Sequence, residues 1–555
     1  MLEAPRILVF PSESVGYLNI RESGTNDDFL EFFSCAEGRV EIPSGYDVRL
    51  RVYCDKDWQR VLEFLGDIES LDIDSLSLKD VGDDSLLHIG RSDKLVDLDL
   101  SDTAITGRTI GGLCFPNVTK LTLTGSRVDD DGLRDVCTFP KLTSLIMGHQ
   151  IGITGRGLVH LGKCPKLRRL HLRSEALDTS ELRNLVHVPT LQDMDFAHKS
   201  LDSEVLDYLG QLPDLQYLSL TYDQGTATGW AKLISLRGLD VGFCPVGDDD
   251  LAEIGELMNL EKLNLEYTKI TDAGISKMVA IGKLTNLRQL ELMGTGISNL
   301  AEINKLTNLE NLDLWNAYVT DSGISNIQAL KRLWNLKLSD TKISDASAET
   351  LAKTSSLKNI DVSFTGMTGN GVLSAIENLS IQELYASGIP FDHSAVERLS
   401  KQLGITHLRL TSCSLTDDDV AALSGLQELD TLYISDNKLT NQSLYSISSL
   451  SKLTDLELTK NDIGDDLFPL LSMKKLKRLD LGMTCITDVG LSILGKMTWL
   501  QSLVVSSNGI TDAGLTHLSA MSHLKYLGIS SANISREGLD QMEEMLPGCY
   551  IDDWY

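Results

Sequence analysis

The stretch Leu500–Leu524, LQSLVVSSNGITDAGLTHLSAMSHL, is one copy of the module that decides the fold, and the next copy begins at Leu524. Its first part, Leu500-x-x-Leu503-x-Val505, alternates apolar residues and predicts a short strand. Its second part, ITDAGL at Ile510–Leu515, predicts the start of a helix. Such a module cannot bury its own apolar face, so it needs a copy on either side.

The rest of the chain supplies those copies. Most of them start 24 residues apart, as from Leu309 to Leu333 to Leu357, which is typical of a solenoid built from repeats of about 20–29 residues. The twenty predicted starts of the L-x-x-L-x-L segment are Ile68, Leu95, Val118, Leu142, Leu167, Leu191, Leu215, Leu236, Leu260, Leu287, Leu309, Leu333, Leu357, Ile381, Ile405, Leu429, Leu453, Leu476, Leu500 and Leu524.

The second half of the module carries a helix-start signal. Thr511 is expected to cap the helix, and Asp512 is expected to meet the positive end of the helix dipole. Ile510 and Leu515 occupy the two positions of a hydrophobic staple. The same pairing recurs at Ile105/Ile110, Val128/Leu133, Ile270/Ile275, Val319/Ile324, Leu439/Leu444, Ile486/Leu491 and Ile534/Leu539.

The predicted fold class is α/β. Helices need about 10 Å laterally and strands about 4.8 Å, so stacked modules bend. We therefore predict a horseshoe with a parallel sheet on the concave face and helices on the convex face. A polar or small residue follows each strand and is expected to bond the exposed backbone of the turn inside the solenoid. It is found at Thr103, Thr268, Thr295, Thr341, Thr365, Thr484, Asn437, Asn461, Asn508, Cys244 and Cys413.

Three regions depart from the regular pattern. Residues 1–66 contain turn-separated strand patterns at Arg6–Phe10, Gly16–Arg21, Arg39–Ile42 and Val48–Tyr53, then an amphipathic helix near Lys56–Leu65. We predict a β-rich cap there, and a separate binding domain is the alternative. Residues 67–545 form the repeat region, whose spacing is least regular over Leu215–Leu314. Residues 546–555 are expected to close it, with a last strand at Cys549–Ile551.

Composition limits the possible functions. The formal net charge is −29, from 79 acidic and 50 basic residues, so an acidic surface predicts no nucleic-acid partner and favours a basic protein partner. Nine scattered cysteines show no CxxC pair and are expected to be reduced core thiols rather than a disulfide framework or zinc site. The start MLEAPRILVF shows no signal peptide, and no apolar run is long enough for a membrane span, so a cytoplasmic location is expected.

The modules resemble those of a known family. ITDAGI at Ile270–Ile275, ITDAGL at Ile510–Leu515 and LTNLRQLELMGTGIS at Leu284–Ser298 are similar to bacterial leucine-rich repeat proteins of the ribonuclease-inhibitor-like or cysteine-containing type, which are abundant in planctomycetes. The ending LPGCYI at Leu546–Ile551 is similar to the closing cap of that group. The resemblance implies a protein-interaction scaffold without catalytic activity.

Side chains that flank the apolar strand residues are expected on the concave face. The middle repeats place an aromatic and acidic set there, comprising Tyr217, Tyr222, Asp240, Phe243, Glu266, Tyr267, Glu291, Met293, Asp313 and Trp315. We interpret it as a docking surface, and lateral packing between neighbouring strands is the alternative. Earlier repeats present a basic group, His149, Arg169, His171, Arg173 and His198, which is interpreted as polar surface rather than a metal site.

Later repeats place a hydroxyl at one recurring position, with Phe364, Tyr385, Arg409 and Tyr433 beside some of them. These residues, Ser339, Ser363, Ser387, Thr411, Ser435 and Thr459, are expected to form a solvated, tolerant surface. Three acidic runs, at 129–131, 248–250 and 417–419, are explained by helix dipoles without calcium.

The sequence predicts recognition rather than catalysis. It contains no G-x-S-x-G, P-loop, H-E-x-x-H or dinucleotide fingerprint, so no enzyme activity, metal or cofactor is expected. The favoured function is a scaffold that binds a protein partner on its concave face. A structural subunit that bridges proteins through its convex side or cap, and a regulator or inhibitor of an enzyme, are the alternatives.

Overall fold

A computed structural model describes residues 6–10, 16–23, 31–42, 44, 46–52, 64–65, 75–79, 81–150, 152–174, 177–197, 202–221, 228–530, 533–546 and 549–553. The chain forms two compact units. The first unit contains Met1–Lys269 and Ile281–Asn286, and the second contains Ile270–Ala280 and Leu287–Tyr555.

Both units contain parallel sheets of short strands, one strand in each repeat. In the first unit β5 to β14 pair in chain order. In the second unit β15 to β26 do the same. The strands are β1 (Arg6–Val9), β2 (Gly16–Glu22), β3 (Glu31–Cys35), β4 (Arg39–Ile42), β5 (Tyr46–Val52), β6 (Ser75–Leu78), β7 (Asp97–Asp99), β8 (Lys120–Thr122), β9 (Ser144–Gln150), β10 (Arg169–Ser174), β11 (Asp193–Ala197), β12 (Tyr217–Thr221), β13 (Gly238–Asp240), β14 (Lys262–Asn264), β15 (Gln289–Glu291), β16 (Asn311–Asp313), β17 (Asn335–Lys337), β18 (Asn359–Asp361), β19 (Glu383–Tyr385), β20 (His407–Arg409), β21 (Thr431–Tyr433), β22 (Asp455–Glu457), β23 (Arg478–Asp480), β24 (Ser502–Val504), β25 (Tyr526–Gly528) and β26 (Tyr550–Asp552).

A helical segment follows most strands and covers the buried face of the sheet. The α-helices are α1 (Asp83–Leu86), α2 (Asp130–Val136), α3 (Gly155–Leu161), α4 (Ser203–Leu209), α5 (Asp248–Ile254), α6 (Asp272–Ala280), α7 (Ala348–Ala352), α8 (Gly369–Ile376), α9 (His393–Leu399), α10 (Asp417–Leu423), α11 (Asn441–Ile447), α12 (Asp488–Leu494), α13 (Asp512–Leu515) and α14 (Arg536–Met545). Tighter 3₁₀ turns occupy Ile110–Gly112, Thr179–His187, Trp230–Lys232, Ile303–Lys305, Ile327–Ala329, Asp345–Ser347, Phe468–Ser472 and Thr516–Leu518.

The apolar positions of the module form the core between sheet and helices. In the quoted copy, Leu500, Leu503, Val505 and the staple residue Ile510 are fully buried, as is nearly all of Leu515. Each unit is therefore an α/β solenoid, as predicted. In some repeats a 3₁₀ turn replaces the expected helix, as at Ile327–Ala329 after the Val319/Ile324 pair.

The first repeat begins later than predicted. Leu76 of β6 lies opposite Leu98 of β7, and Leu98 is the fourth residue of its repeat. The strand of the first repeat is therefore Ser75–Leu78, and the start at Ile68 is wrong by five residues. The error arose because the segment from Ile68 to Ile73 also places apolar residues three and two apart.

The N-terminal strands are antiparallel to one another and then join the repeats. Strand β1 pairs with β4, and β2 pairs with both β3 and β5. Strand β5 then pairs in parallel with β6. The buried Arg49 guanidinium on β5 donates to Asp97 at 2.8 Å and to Ser75 at 2.9 Å, so it ties this end to the first two repeats.

The structure finds four strands close to their predicted positions and adds β3, which the sequence did not reveal. Of the predicted helix, only Phe64 and Leu65 are described, and both are helical. At the other end, β26 pairs in parallel with β25 as the last strand, one residue beyond the predicted Cys549–Ile551. The domain boundaries and the cap's role stay predictions.

The aspartate of the ITD motif bonds to the next repeat. Asp488 accepts 2.8 and 2.7 Å hydrogen bonds from the backbone N–H and hydroxyl of Thr511, the cap of the following helix. Asp512 does the same for Ser535. Equivalent pairs are Asp83/Thr106, Asp130/Thr154, Asp272/Ser298, Asp321/Ser344, Asp345/Thr368, Asp417/Thr440 and Asp465/Thr487. We call each such pair an inter-repeat staple.

The glycine of ITDAGL makes room for this staple. A Cβ at Gly514 would lie 2.2 Å from the Asp488 carboxylate, and one at Gly538 would lie 2.3 Å from that of Asp512. A Cβ at Gly371 would likewise lie 1.8 Å from the Asp345 carboxylate. The threonine, aspartate and glycine of the motif therefore pack together across the boundary between two neighbouring repeats.

The residues after the strands form the expected ladder. The carboxamide of Asn461 accepts from the N–H groups of Asn437 and Leu439 and donates to the carbonyls of Ile434 and Leu458. It therefore joins two repeats. Most of the threonines bond only within their own turn, as Thr341 does to Leu338 at 2.6 Å, whereas the Thr484 hydroxyl also lies 2.9 Å from the Asn508 carboxamide oxygen of the next repeat.

The cysteines differ from the prediction. Cys137 and Cys164, in neighbouring repeats, form a disulfide, so the expectation of reduced thiols is wrong for this pair. Their 27-residue separation carries no sequence signature because repeat stacking, not local spacing, brings them together. Cys244 and Cys413 are buried, as expected, and burial raises the pKa of the Cys413 thiol to about 12. Cys114 and Cys485 are free but exposed, so the expectation of core thiols is wrong for them.

Candidate functional site

The strand register places outward side chains in rows. The third and fifth residues of each repeat face away from the core, and each lies opposite its counterpart in the next strand. One row in the second unit is Glu291, Asp313, Lys337, Asp361, Tyr385, Arg409, Tyr433, Glu457 and Asp480. Neighbours in such a row are about 4.8 Å apart, so a ligand across the strands meets several repeats.

A left-handed residue ends the strand segment in many repeats. Phe243, Tyr267 and Phe364 hold φ angles of 61°, 51° and 56° at this position. A non-glycine residue in this region costs about 1–2 kcal/mol, and bulky residues adopt it rarely. The same left-handed φ recurs at polar residues of other repeats, such as Asn316 and Asp436, so these three aromatics are distinguished by their exposed rings rather than by their backbone.

In the first unit, two of these aromatics form an exposed pair. The rings of Phe243 and Tyr267 stack with centroids 4.9 Å apart, and the side chains are 60% and 41% exposed. The predicted acids Asp240 and Glu266 are half-buried on the same sheet face, and Asp240 accepts from the Gly242 N–H at 3.0 Å. The structure therefore brings these four predicted residues together.

Tyr217 lies apart from that pair. It is exposed, and its ring occupies the space that a Cβ on Gly238 of the next strand would need. Tyr222 lies outside the described residues.

The predicted basic group is neutralised by neighbouring acids. Arg169 pairs with Asp193 at 2.7 Å, and Arg173 pairs with Asp195 at 3.3 Å. His171 lies 3.8 Å from the same Asp195 carboxylate. His149 is exposed and left-handed, and His198 lies outside the described residues. This face therefore presents paired charges, as expected of polar surface.

The second unit has a groove of about 480 Å³ on the outward face of β16–β20. Its acids are Asp313, Asp340, Asp361 and Glu383, its cations are Lys337 and Arg409, its aromatics are Trp315, Phe364 and Tyr385, and its amides and hydroxyls are Asn335, Asn359, Ser339, Ser363 and Ser387. Of the predicted docking residues, Asp313 and Trp315 line it. Glu291 is on the neighbouring strand and accepts from Gln289 at 2.6 Å.

One ion pair and one hydrogen bond order the end of the groove near β16. Lys337 donates to Asp313 at 2.8 Å, and the Trp315 indole N–H donates to Asp340 at 2.7 Å. Burial by itself would lower the pKa of Lys337, but the bond to Asp313 and the nearby Glu291 and Asp361 outweigh it and raise that pKa. Lys337 therefore stays charged, and its ion pair with Asp313 neutralises that charge.

Phe364 supplies an exposed apolar wall. Its side chain is 56% exposed. A Cβ added to Gly388 would lie only 2.4 Å from a carbon of the Phe364 ring. Gly388, at φ 71°, thus makes room for the ring in the next repeat. Sequence reasoning noticed Phe364 but gave it no role, because nothing in one sequence shows that its backbone is strained.

Two tyrosines position Arg409 at the other end of the groove. Its guanidinium carbon lies 5.7 Å from the Tyr385 ring centroid and 4.8 Å from that of Tyr433. In the described part of the chain no carboxylate forms a salt bridge with Arg409. Burial, with the bonded Glu383, raises the pKa of Tyr385 to about 12, so the phenol remains a donor.

The hydroxyl row is not the solvated surface that the sequence predicted. Ser339, Ser363, Ser387 and Ser435 are all buried, and the first three form part of the groove lining. The Ser363 hydroxyl accepts from the Ser387 N–H at 3.1 Å, which makes part of the row structural.

The acidic runs lie at helix starts, as predicted, with Asp129 capping α2 and Asp417–Asp419 in the first turn of α10. Among the described residues no group of three or more His, Cys, Asp or Glu has a metal-binding arrangement. No helix within the described ranges is both long and apolar enough to span a bilayer.

Parallel in-register strands, buried leucines and a polar turn ladder are the features of a leucine-rich repeat solenoid. Sequence profiles agree: residues 230–472 match a "Leucine-rich repeat region" profile, and 472–495 and 496–519 match "Leucine Rich repeat" profiles. The chain is a leucine-rich repeat protein.

Solved structures with similar folds include an internalin from Listeria monocytogenes, at 22% identity over 64% of this chain and 89% of that one, with a TM-score of 0.43. A leucine-rich repeat protein from Leptospira interrogans has 19% identity over 83% and 96%, with a TM-score of 0.37. TLR13, solved in complex with ssRNA13, has 16% identity over 84% and 73%, with a TM-score of 0.45. No curated protein matches the sequence.

Proposed function

We propose that the protein is a non-catalytic scaffold that binds a protein partner in the groove over β16–β20 of the second unit. The observation that carries the proposal is Phe364, whose ring is 56% exposed in the groove that Trp315 also lines. Exposed aromatics in a concave polar surface are the usual anchors of protein interfaces.

Charge favours a basic partner. The groove contains four acids and two cations, and Lys337 is already neutralised by Asp313. A partner that brings lysine or arginine gains from this local excess of carboxylates, and the net charge of −29 steers it from a distance. The same field disfavours a phosphate backbone.

The exposed Phe243–Tyr267 pair supports a second contact surface in the first unit. Both residues hold strained backbones, and stacking keeps their rings together. We propose that this pair anchors either a separate region of the partner or another protein. A bridging subunit, the first alternative, would contact its partners through the helical layer or the N-terminal cap. An enzyme regulator, the second alternative, would contact the active site of an enzyme.

Affinity capture with paired variants tests the groove. Trp315→Ala/Phe364→Ala is compared with Tyr445→Ala/Phe468→Ala, which removes two exposed aromatics from the helical layer of the same unit. Proteins retained from cells that naturally contain the chain are quantified by mass spectrometry.

The proposal expects at least one protein to be lost by the groove variant and kept by the control, with circular dichroism unchanged in both. Equal retention by both variants would contradict it, and loss only with the control would favour the bridging alternative. A Tyr267→Ala variant reports on the first unit separately.

The repeat subtype and the bacterial source stay predictions. The cytoplasmic location is a prediction that the Cys137–Cys164 disulfide opposes, because disulfides persist mainly in oxidising compartments.

A further inference from the structure

Arg409 is the one groove cation whose charge is not already neutralised among the described residues. Lys337 bonds Asp313, whereas Arg409 forms no salt bridge and its partners are the Tyr385 and Tyr433 rings. Neither ring contact is a hydrogen bond, so the guanidinium keeps an N–H edge without a carboxylate partner in the described part of the chain. That edge is suited to a carboxylate, which it binds through two parallel hydrogen bonds.

A second unsatisfied group lies in the same groove. Ser387 is only 3% exposed, and its hydroxyl has no hydrogen-bond partner among the described residues. Its neighbours Ala386 and Gly388 donate backbone hydrogen bonds to Arg409 and Thr411, so Ser387 lies beside the Arg409 strand. A buried hydroxyl without a partner costs free energy, and a ligand oxygen would satisfy it.

The opposite charge is available two to three strands away. Asp340 accepts only from Trp315 and Asp361 only from the Ser363 N–H, and neither has a salt-bridge partner in the described ranges. Strand spacing puts these carboxylates about 10–14 Å from Arg409. In an extended peptide, side chains four residues apart share a face and are separated by about 13 Å.

We propose that the groove binds an extended peptide segment that places a carboxylate side chain on Arg409 and Ser387. A basic side chain four residues away then lies on Asp340 and Asp361, with Phe364 between the two ends. The proposal rests on the groove being the partner site, and it adds the charge pattern and spacing of the segment that enters it.

Synthetic heptapeptides test the pattern. The probe is acetyl-Ala-Lys-Ser-Leu-Ser-Glu-Ala-amide, in which only side chains are charged. Two comparison peptides replace its Lys by Glu or its Glu by Lys. Dissociation constants are measured by ligand-observed NMR on the full chain. The wild-type protein should bind the mixed-charge peptide about tenfold more tightly than either comparison peptide, as expected for one well-placed charge pair.

A charge swap separates Arg409 from general electrostatics. Arg409→Glu should weaken the mixed peptide about tenfold and strengthen the Lys/Lys peptide by a similar factor. Lys460→Glu is the matched control, because Lys460 is an exposed cation of the same unit outside the groove and the charge change is identical. It should leave the order of the three peptides unchanged.

Three outcomes would overturn the inference: equal binding of all three peptides, no binding at millimolar concentration, or an Arg409→Glu effect no larger than that of Lys460→Glu. If Trp315→Ala/Phe364→Ala still loses its natural partner in that case, the groove remains the interface and only the charge pattern is wrong. If the peptides bind as expected but that capture fails, the groove binds peptides without being the partner site.

Discussion

Single residues in this protein act mainly by satisfying the backbone where each strand ends. The sequence identified this position as Thr, Asn or Cys, and the structure separates the chemistries. Asn461 bonds two repeats, whereas Thr341 bonds only its own turn. The left-handed residue just before this position could not be predicted. Glycine normally signals such a backbone, but in some repeats bulky residues such as Phe243 and Phe364 occupy the position instead.

Asn461→Ala should lower the free energy of unfolding by at least about 3 kcal/mol, because several buried backbone groups lose their partners. Asn461→Thr should recover part of that loss, since a hydroxyl can bond its own turn but cannot reach the repeat before it. Urea unfolding followed by circular dichroism measures both. Equal midpoints for the Ala variant and wild type would contradict the ladder's role.

At the scale of elements, the ITDAGL motif both starts a helix and connects neighbouring repeats, and only the helix start was predicted from the sequence. The sequence correctly placed the start of the helix at Thr511 and Asp512, but the Thr511 hydroxyl makes no capping bond and donates to Asp488 instead. It assigned the aspartate to the helix dipole, whereas the structure shows it bonded to the cap of the next repeat. A local pattern cannot show this, because the partner lies 23 residues away along the chain.

A double-mutant cycle tests the staple and its glycine together. Gly514→Ala should cost about 1–3 kcal/mol, because the new methyl overlaps the Asp488 carboxylate 2.2 Å away. In an Asp488→Ala background the same change should be neutral or stabilising, since alanine favours helix over glycine. Thermal unfolding of the four proteins gives the coupling. Additive effects would show that glycine and aspartate do not share this space.

For the molecule as a whole, repetition made the architecture predictable and left its function largely unpredicted. The 24-residue period fixed the strand order, but not the start of the first repeat, the Cys137–Cys164 pair or the groove. Those depend on which side chains meet across repeats. Asp313 and Trp315 could be identified because an exposed tryptophan beside an acid is conspicuous in a strand pattern. Arg409 could not be identified, because a sequence does not show that its guanidinium has no carboxylate partner.

The staples make stability depend on pH. Burial by itself would raise the pKa of Asp321, but its hydrogen bonds from Ser347 and Ser344 outweigh this and hold the pKa below its ordinary value. The bond from Ser535 lowers the pKa of Asp512 similarly. Because these carboxylates bind protons more weakly when folded, their stabilisation is complete above about pH 5 and is lost as pH falls below 4.

Asp321→Asn should therefore lower the thermal midpoint at pH 7, and the difference from wild type should shrink progressively as pH falls below about 4, where aspartate carboxyls begin to be protonated. Circular dichroism melts at pH 7, 5, 4 and 3 provide the comparison. A difference that stays constant over this range would show that the charge of the Asp321 staple contributes nothing.

Photocrosslinking tests the central claim, partner binding in the groove, most directly. A benzophenone amino acid replaces Phe364 in one protein and Phe468 in another, two phenylalanines with similar exposures of 56% and 58%. One lies in the groove and the other in the helical layer of the same unit. After irradiation in cells that naturally contain the protein, we predict a discrete crosslinked partner from position 364 and none from position 468. The same partner captured only from position 468 would contradict the account.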